Sequence, residues 1–370
     1  MSSTQPSGPG GLICLTSSEP PLGDGHGSPA EVSELASWLH GRGWQVEIVT
    51  GRRRPGREVT ADVPSDLLAS WEERRWPQGL DEASSIVAGM AFRLRRFAPR
   101  LVHAFLAADA AAAALADRPY VVSYGGMIQP EVFTGHPQLW QLFQLVSHGA
   151  RRIICPSAAA AEHLEAMYGL PAEVVPPGVD TARFADLRVP RQPGLILAPS
   201  SPDDPQARLA LLIDAFAEAA RQRPDAELAV VGPGRPDAIR DLLGRLPAAV
   251  ASRVRPIGPV DRQRQLTWYG RAAVTCVPAV RQGFSQALVE SLAAGTPVVA
   301  ANDGGAPEIV TPEVGFLFSA DDPEACARRL VQALELSDDP ATQSRCQRRA
   351  ADFDWDAVGP RLVELYQQVL

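Results

Sequence analysis

The stretch RQGFSQALVESLAAGTPVVAANDGGAPEIV, Arg281 to Val310, decides how this chain folds. Two glycine-bearing loops flank the apolar run TPVVAA, and the spacing predicts that each loop opens a helix, with Glu290 inside the first. An uninterrupted apolar run of this length reads as a strand buried on both faces of a parallel sheet. Loop amides and helix N-termini together offer unpaired donors to an anion, so the arrangement points to a phosphorylated ligand.

The same alternation continues in both directions. Upstream, short apolar runs GLICLT, QVEIVT, RLVHAF, YVVSY, RRIIC and AEVVP are separated by longer helical patterns; downstream come GLILAP, ELAVVG, RVRPIG, AVTCVP, PVVAA and GFLF. Strands alternating with helices imply βαβ units and parallel sheets, and two series of about six imply two doubly wound, Rossmann-like α/β domains. A length of 370 residues fits two such domains. The expected boundary lies near DLRVPRQPG, where prolines and arginines replace the apolar pattern. The domains are therefore expected at 1–188 and 189–352, with a terminal helix over 353–370. In that helix Val358, Leu362 and Leu365 share one side, and Asp354 or Asp356 suits its N-cap. The first ten residues read as disordered, and GRRRPGREVTADVPSD as a polar surface loop.

Charge and cysteine content narrow the class. A net charge of −8 argues against a general nucleic-acid binder. The chain contains no lysine, so all 35 basic side chains are arginines and no lysine can hold a phosphate. LICL is too short to span a bilayer and lacks a basic flank, so the reading is cytoplasmic. The five cysteines form no CxxC pair and read as reduced structural thiols.

After the first strand, Gly23, Gly25 and Gly27 let the backbone approach a ligand closely at a helix N-terminus, although their spacing is not GxGxxG. An ordinary flexible βα loop is the competing reading. AFRLRRFAPRL interleaves Arg93, Arg95, Arg96 and Arg100 with Phe92, Leu94 and Phe97; a basic amphipathic helix of this kind suits peripheral contact with anionic lipid at the inner membrane face, against the competing reading of a solvated helix. DFD at 352–354 reads as helix capping rather than metal binding, and no cluster has metal-ligand spacing.

Taken in order, these pieces resemble the retaining, nucleotide-sugar-dependent glycosyltransferases of GT-B fold, of the group 1 or family 4 type. ELASWLHGRGWQVEIVT resembles the family's first helix and second strand. RRIICPSAAAAEHLEAMYGLPAEVVPPGVDTARF is similar to the stretch closing its N-terminal domain, and LLIDAFAEAARQRPDAELAVVGPG to the first βαβ unit of its donor domain. The opening quotation resembles the donor-site signature, and FDWDAVGPRLVELYQQVL the helix that packs back on the first domain.

The resemblance implies two domains facing across a cleft, a nucleoside-diphosphate sugar as donor, and an acceptor that is a small molecule, a glycan or lipid-linked. Neither a cofactor nor a metal is implied. Glu290 matches the second carboxylate of the family's Glu-x7-Glu motif, a partner for ribose hydroxyls. The amides of Gly283, Phe284 and Ser285 are implied to meet sugar and phosphate, Ser285 doubling as an N-cap, and Gly304 and Gly305 to open the next helix in the same way. The first motif glutamate is Gln282 here. The family's arginine and lysine that clamp the diphosphate fall near Ser201, Pro202 and Ala207, which leaves Arg208 and Arg281 as candidates for that charge. Tyr124, Gly125 and Gly126 stand where many members carry a histidine or arginine, and His103 matches a strand-end position.

The reading is transfer of a hexose-type sugar with retention. Two alternatives stay open: a degenerate member acting as a binding or scaffold partner, and a nucleotide-sugar epimerase on the same fold.

Overall fold

The computed structural model describes residues 11–17, 28–50, 68–69, 82–185, 187 and 189–370. Gly23, Gly25, Gly27 and His26 lie outside the described residues, as do the first ten and most of GRRRPGREVTADVPSD. The chain divides into two compact units, residues 1–178 with 358–370, and residues 179–357. Both junctions differ from the expected ones at 188/189 and 352/353. Val179 pairs with Asp354 and its N–H donates to the Phe353 carbonyl, which ties the segment before the proline-rich linker to unit 2.

Unit 1 is a parallel sheet of strands β1 (Leu12–Ser17), β2 (Gln45–Thr50), β3 (Leu68–Ala69), β4 (Leu101–Ala104), β5 (Tyr120–Ser123), β6 (Arg152–Cys155) and β7 (Glu173–Val174). Their order is β3-β2-β1-β4-β5-β6-β7. The intervening helices are α1 (Ser28–His40), α2 (Glu82–Phe97), α3 (Ala107–Leu115), α4 (Pro137–Gly149) and α5 (Ala158–Tyr168). In α3 the run Ala110 to Ala113 is buried, small side chains that let the helix approach its neighbours closely. Helix α5 is delimited by chemistry visible in the sequence: Ser157 accepts from the Ala160 amide and Gly169 ends the helix at φ 67°.

Unit 2 begins with the short helix α6 (Ala182–Ala185). Its sheet comprises β8 (Leu195–Pro199), β9 (Glu227–Val231), β10 (Val254–Gly258), β11 (Val274–Val277), β12 (Val298–Ala301) and β13 (Gly315–Phe318), in the order β10-β9-β8-β11-β12-β13. Helices α7 (Leu209–Gln222), α8 (Pro236–Leu243), α9 (Ala248–Ala251), α10 (Arg262–Arg271), α11 (Gln286–Ala293), α12 (Pro323–Ser337) and α13 (Ala341–Ala351) complete it. All four residues of β11 and of β12 are buried, the environment that an unbroken apolar run requires. Helix α7 buries Leu209, Leu212, Ile213, Phe216, Ala219 and Ala220, the one-sided spacing of an amphipathic helix on a sheet.

In each unit the strand order reverses beside the first strand, placing a crevice at the carboxyl ends of β1 and β4 and of β8 and β11. The last helix, α14 (Trp355–Val369), starts in unit 2, and its residues from Val358 onward belong to unit 1. Val358, Leu362 and Leu365 are buried, and Gly359 leaves room for the Trp38 indole, which a Cβ would strike. Asp354 is the cap: its carboxylate accepts from the Asp356 amide at 2.8 Å and from the Thr181 amide and hydroxyl. The DFD segment is thus committed to capping and anchoring.

Candidate functional site

The site is built at the switch point of unit 2, from the loops that follow β8, β11 and β12. Backbone bonds stitch these loops together: Val280 N–H donates to the Gln206 carbonyl at 3.1 Å, and Gly305 N–H to the Gln282 carbonyl at 3.0 Å. The Arg281 N–H also donates to the Asp303 carboxylate. Gly304 sits at φ +54°, and a Cβ there would run into the Gln282 carbonyl oxygen. Only glycine tolerates both demands. The two glycine loops of the opening stretch are therefore one locked surface.

This lock corrects two expectations. The second loop opens only a 3₁₀ turn, Ala306–Glu308, because Pro312 soon follows and disfavours helical geometry at Thr311. No α-helix N-terminus stands there to attract an anion. The Gly305 amide, expected on a phosphate, is taken by Gln282. In the first loop Gly283 and Ser285 are buried, and the Phe284 ring packs on Phe353 at 5.6 Å between centroids. Ser285 occupies the N-cap place of α11, but its side chain makes no cap hydrogen bond.

Glu290 is 3% exposed, which rules out a solvated helix glutamate. Its Oε1 lies 2.7 Å from Arg262 Nη2, and the Tyr269 hydroxyl bonds the carboxylate. Burial, reinforced by the nearby Glu290 charge, pushes the Tyr269 phenol well above its ordinary pKa, so it serves as a neutral donor. Helix α11 is itself anchored: Ser291 Oγ donates to Thr275 Oγ1 at 2.7 Å and Thr296 Oγ1 to the Tyr269 carbonyl at 2.8 Å.

The two candidate arginines differ in commitment. Arg208, at φ 52° before α7, ion-pairs with Asp321 at 2.7 Å, and Asp321 is largely exposed. Arg281, at φ 59°, is exposed. Two polar atoms near the crevice escaped the sequence reading. Ser200 Oγ, just after β8, and Gln286 Nε2, in the first turn of α11, are buried with no hydrogen-bond partner among the described residues. Buried donors without partners are uncommon and call for a reason. Arg262 and Tyr269 were missed as well, since polar residues on a helix read as a solvated face when their neighbour is unknown.

In unit 1, Tyr124 is buried and bonds Ser147 Oγ at 2.7 Å, so its hydroxyl is already engaged. Gly125 and Gly126 border open space. His103 is buried between Tyr366 (Nδ1 to the hydroxyl, 2.6 Å) and Ser123 (Nε2 to Oγ, 2.7 Å), and burial lowers its pKa to about 3. It is a neutral packing residue that ties α14 to the unit 1 sheet. All five cysteines are free and buried. Among the described residues, no group of three or more His, Cys, Asp and Glu could hold a metal ion, and no helix is long and apolar enough to cross a membrane.

Two family signatures cover most of the chain. Residues 27–183 match Glycosyltransferase Family 4, and residues 194–336 match Glycosyl transferases group 1. The chain belongs to these glycosyltransferases. It is 31% identical over 227 residues to a phosphatidyl-myo-inositol mannosyltransferase of Mycolicibacterium smegmatis, covering 59% of this chain and 57% of the relative. With a D-inositol 3-phosphate glycosyltransferase of Streptomyces avermitilis the identity is 32%, covering 60% and 53%. The chain thus spans little more than half the length of these relatives. A D-inositol 3-phosphate glycosyltransferase of Xylanimonas cellulosilytica matches over 95% of this chain and 93% of its own length at 29% identity. In fold, the chain is similar to a sucrose-phosphate synthase of Thermosynechococcus elongatus (TM-score 0.77, 20% identity, 96% and 98% covered) and to Anabaena HepE in complex with UDP-glucose (0.72, 19%, 97% and 100%). The architecture is GT-B.

Proposed function

We propose that this protein transfers a hexose-type sugar from a nucleoside-diphosphate sugar to an acceptor hydroxyl, with retention at the anomeric carbon. The observation that carries the reading is Glu290, a buried carboxylate on the helix into which the first of the locked glycine loops leads at the switch point of unit 2. A carboxylate suits the vicinal hydroxyls of a ribose, since each oxygen can accept one of them. The amides of Gly283 to Ser285, with Arg208 or Arg281, meet the diphosphate as it leaves. A donor phosphate oxygen takes the acceptor proton on the same face of the sugar. Transfer on this reading needs no metal. By name, the curated relatives include transferases for inositol-bearing acceptors, so a cyclic polyol is the acceptor class to try first.

One experiment tests the reading: hydrolysis or transfer of UDP- and GDP-hexoses by the wild type and by Glu290→Ala. The expected result is turnover that falls with the variant as donor affinity is lost. Unchanged donor affinity in Glu290→Ala would remove the site assignment. A second reading, a degenerate member that only binds, is favoured by Gln282 and by the family's cation pair being absent from the β8–α7 loop. It predicts no thermal stabilisation by any nucleotide sugar, whereas a donor-binding enzyme is stabilised.

A further inference from the structure

Glu290 is surrounded by more polar chemistry than the packing of two helices requires. Arg262, Gln265 and Tyr269 stand at i, i+3 and i+7 on α10, and so on one face of that helix. Gln265 and Tyr269 are buried, and the Arg262 side chain is 14% exposed. The three are linked to each other, Arg262 Nη1 to Gln265 Oε1 at 3.3 Å and Gln265 Nε2 to the Tyr269 hydroxyl at 3.4 Å. Arg262 and Tyr269 then converge on the one carboxylate.

Stability offers no reason for this arrangement. A buried ion pair can commonly be replaced by apolar side chains of similar volume at no loss, while removing one partner alone leaves an uncompensated charge. An apolar α10 face would serve the fold as well. A carboxylate that must present an oxygen in a fixed direction does need its remaining lone pairs occupied and its rotamer held.

We infer that Arg262, Gln265 and Tyr269 are positioning residues that hold the Glu290 carboxylate for the vicinal hydroxyls of the donor's ribose. The inference rests on the donor-site reading above and adds residues outside the Glu-x7-Glu motif to it. Arg262 supplies the countercharge and Tyr269 a neutral hydrogen bond. Gln265 bridges the two, and the Thr296 bond to the Tyr269 carbonyl ties the end of that helix to the turn that follows α11.

The test is the preference for ribose over 2′-deoxyribose, which a purely structural role does not move. Dissociation constants for UDP, GDP and their 2′-deoxy counterparts are measured by calorimetry on the wild type, Arg262→Lys, Arg262→Ala and Tyr269→Phe, with melting temperatures to confirm folding. The wild type is expected to prefer the ribonucleotide by about tenfold or more, the weight of a charge-assisted hydrogen bond. Arg262→Ala and Tyr269→Phe lose most of that preference, and Arg262→Lys restores part of it. Folded variants that keep the wild-type preference overturn the inference, including any that bind all four nucleotides more weakly by one common factor. Should Arg262→Ala not fold, Tyr269→Phe decides alone by the same criterion. A wild type that binds no nucleoside diphosphate removes the donor-site reading itself, and the inference with it.

Discussion

Replacing Gly304 by alanine probes the lock between the two glycine loops. At φ +54° an L-residue costs about 1–2 kcal/mol. The new Cβ also meets the Gln282 carbonyl, which is backbone and cannot rotate away, so the loops must part and the Gly305-to-Gln282 hydrogen bond is lost, for about 1 kcal/mol more. Alanine restricts the unfolded chain and returns about 0.4–1 kcal/mol. The net is a loss of about 2 kcal/mol from unit 2, or roughly 4–8 °C of melting temperature for a domain of this size. Gly125→Ala is the control, because a Cβ there meets nothing within 4 Å. Scanning calorimetry on both variants, with nucleotide affinity measured alongside, checks the argument. Gly304→Ala melting within a degree of wild type would refute the claim that the loops are locked through this contact, and unchanged nucleotide affinity would separate the lock from the site.

Four further outcomes follow from the same structure. Glu31 is pushed up to about 7 by burial and then by Glu34, so from its ordinary range to about pH 7 the folded chain keeps a proton that the unfolded chain releases. Its contribution therefore falls as pH rises through that window, and Glu31→Gln should exceed wild type by at most about 3 kcal/mol at pH 8 while matching it near pH 4, read from urea midpoints. His103, lowered to about 3, acts oppositely: its contribution is complete above about pH 6.5 and is lost as pH falls toward 3. Arg208→Ala should change stability by less than about 1 kcal/mol, since its partner Asp321 is largely exposed, yet weaken donor binding; Asp321→Ala, which frees the arginine, should not weaken it, as isothermal titration can show. Gln282→Glu restores a charge able to face the anomeric carbon and should raise the transfer rate by about tenfold or more in a steady-state assay.

The strands were legible because a buried parallel strand has little choice of residue type: QVEIVT, PVVAA and GFLF are strands almost to the residue. The pair Leu68–Ala69 was not, since two residues carry no period. The second glycine loop misled for a physical reason. GGAPE looks like a helix start, but the closely following Pro312 and the Gln282 carbonyl convert it into a braced turn. Glu290 could be singled out from its place in a motif, whereas what surrounds it could not. Arg262 and Tyr269 meet it from a separate helix, and helical spacing alone does not say which element a polar face will meet. The unit boundary slipped for a related reason, as the pairing of Val179 with Asp354 joins residues far apart in sequence.

Helix α14 has a consequence for how the protein is made. Tyr366, fully buried against His103, is translated only after the whole of unit 2, while the strands of the sheet it packs on are translated before unit 2. Although nascent chains commonly mature from the amino end, this one must hold unit 1 unfinished until all of unit 2 has been synthesised. A released chain truncated before Val358 should therefore display a protease-resistant second half and a first half still open to cleavage.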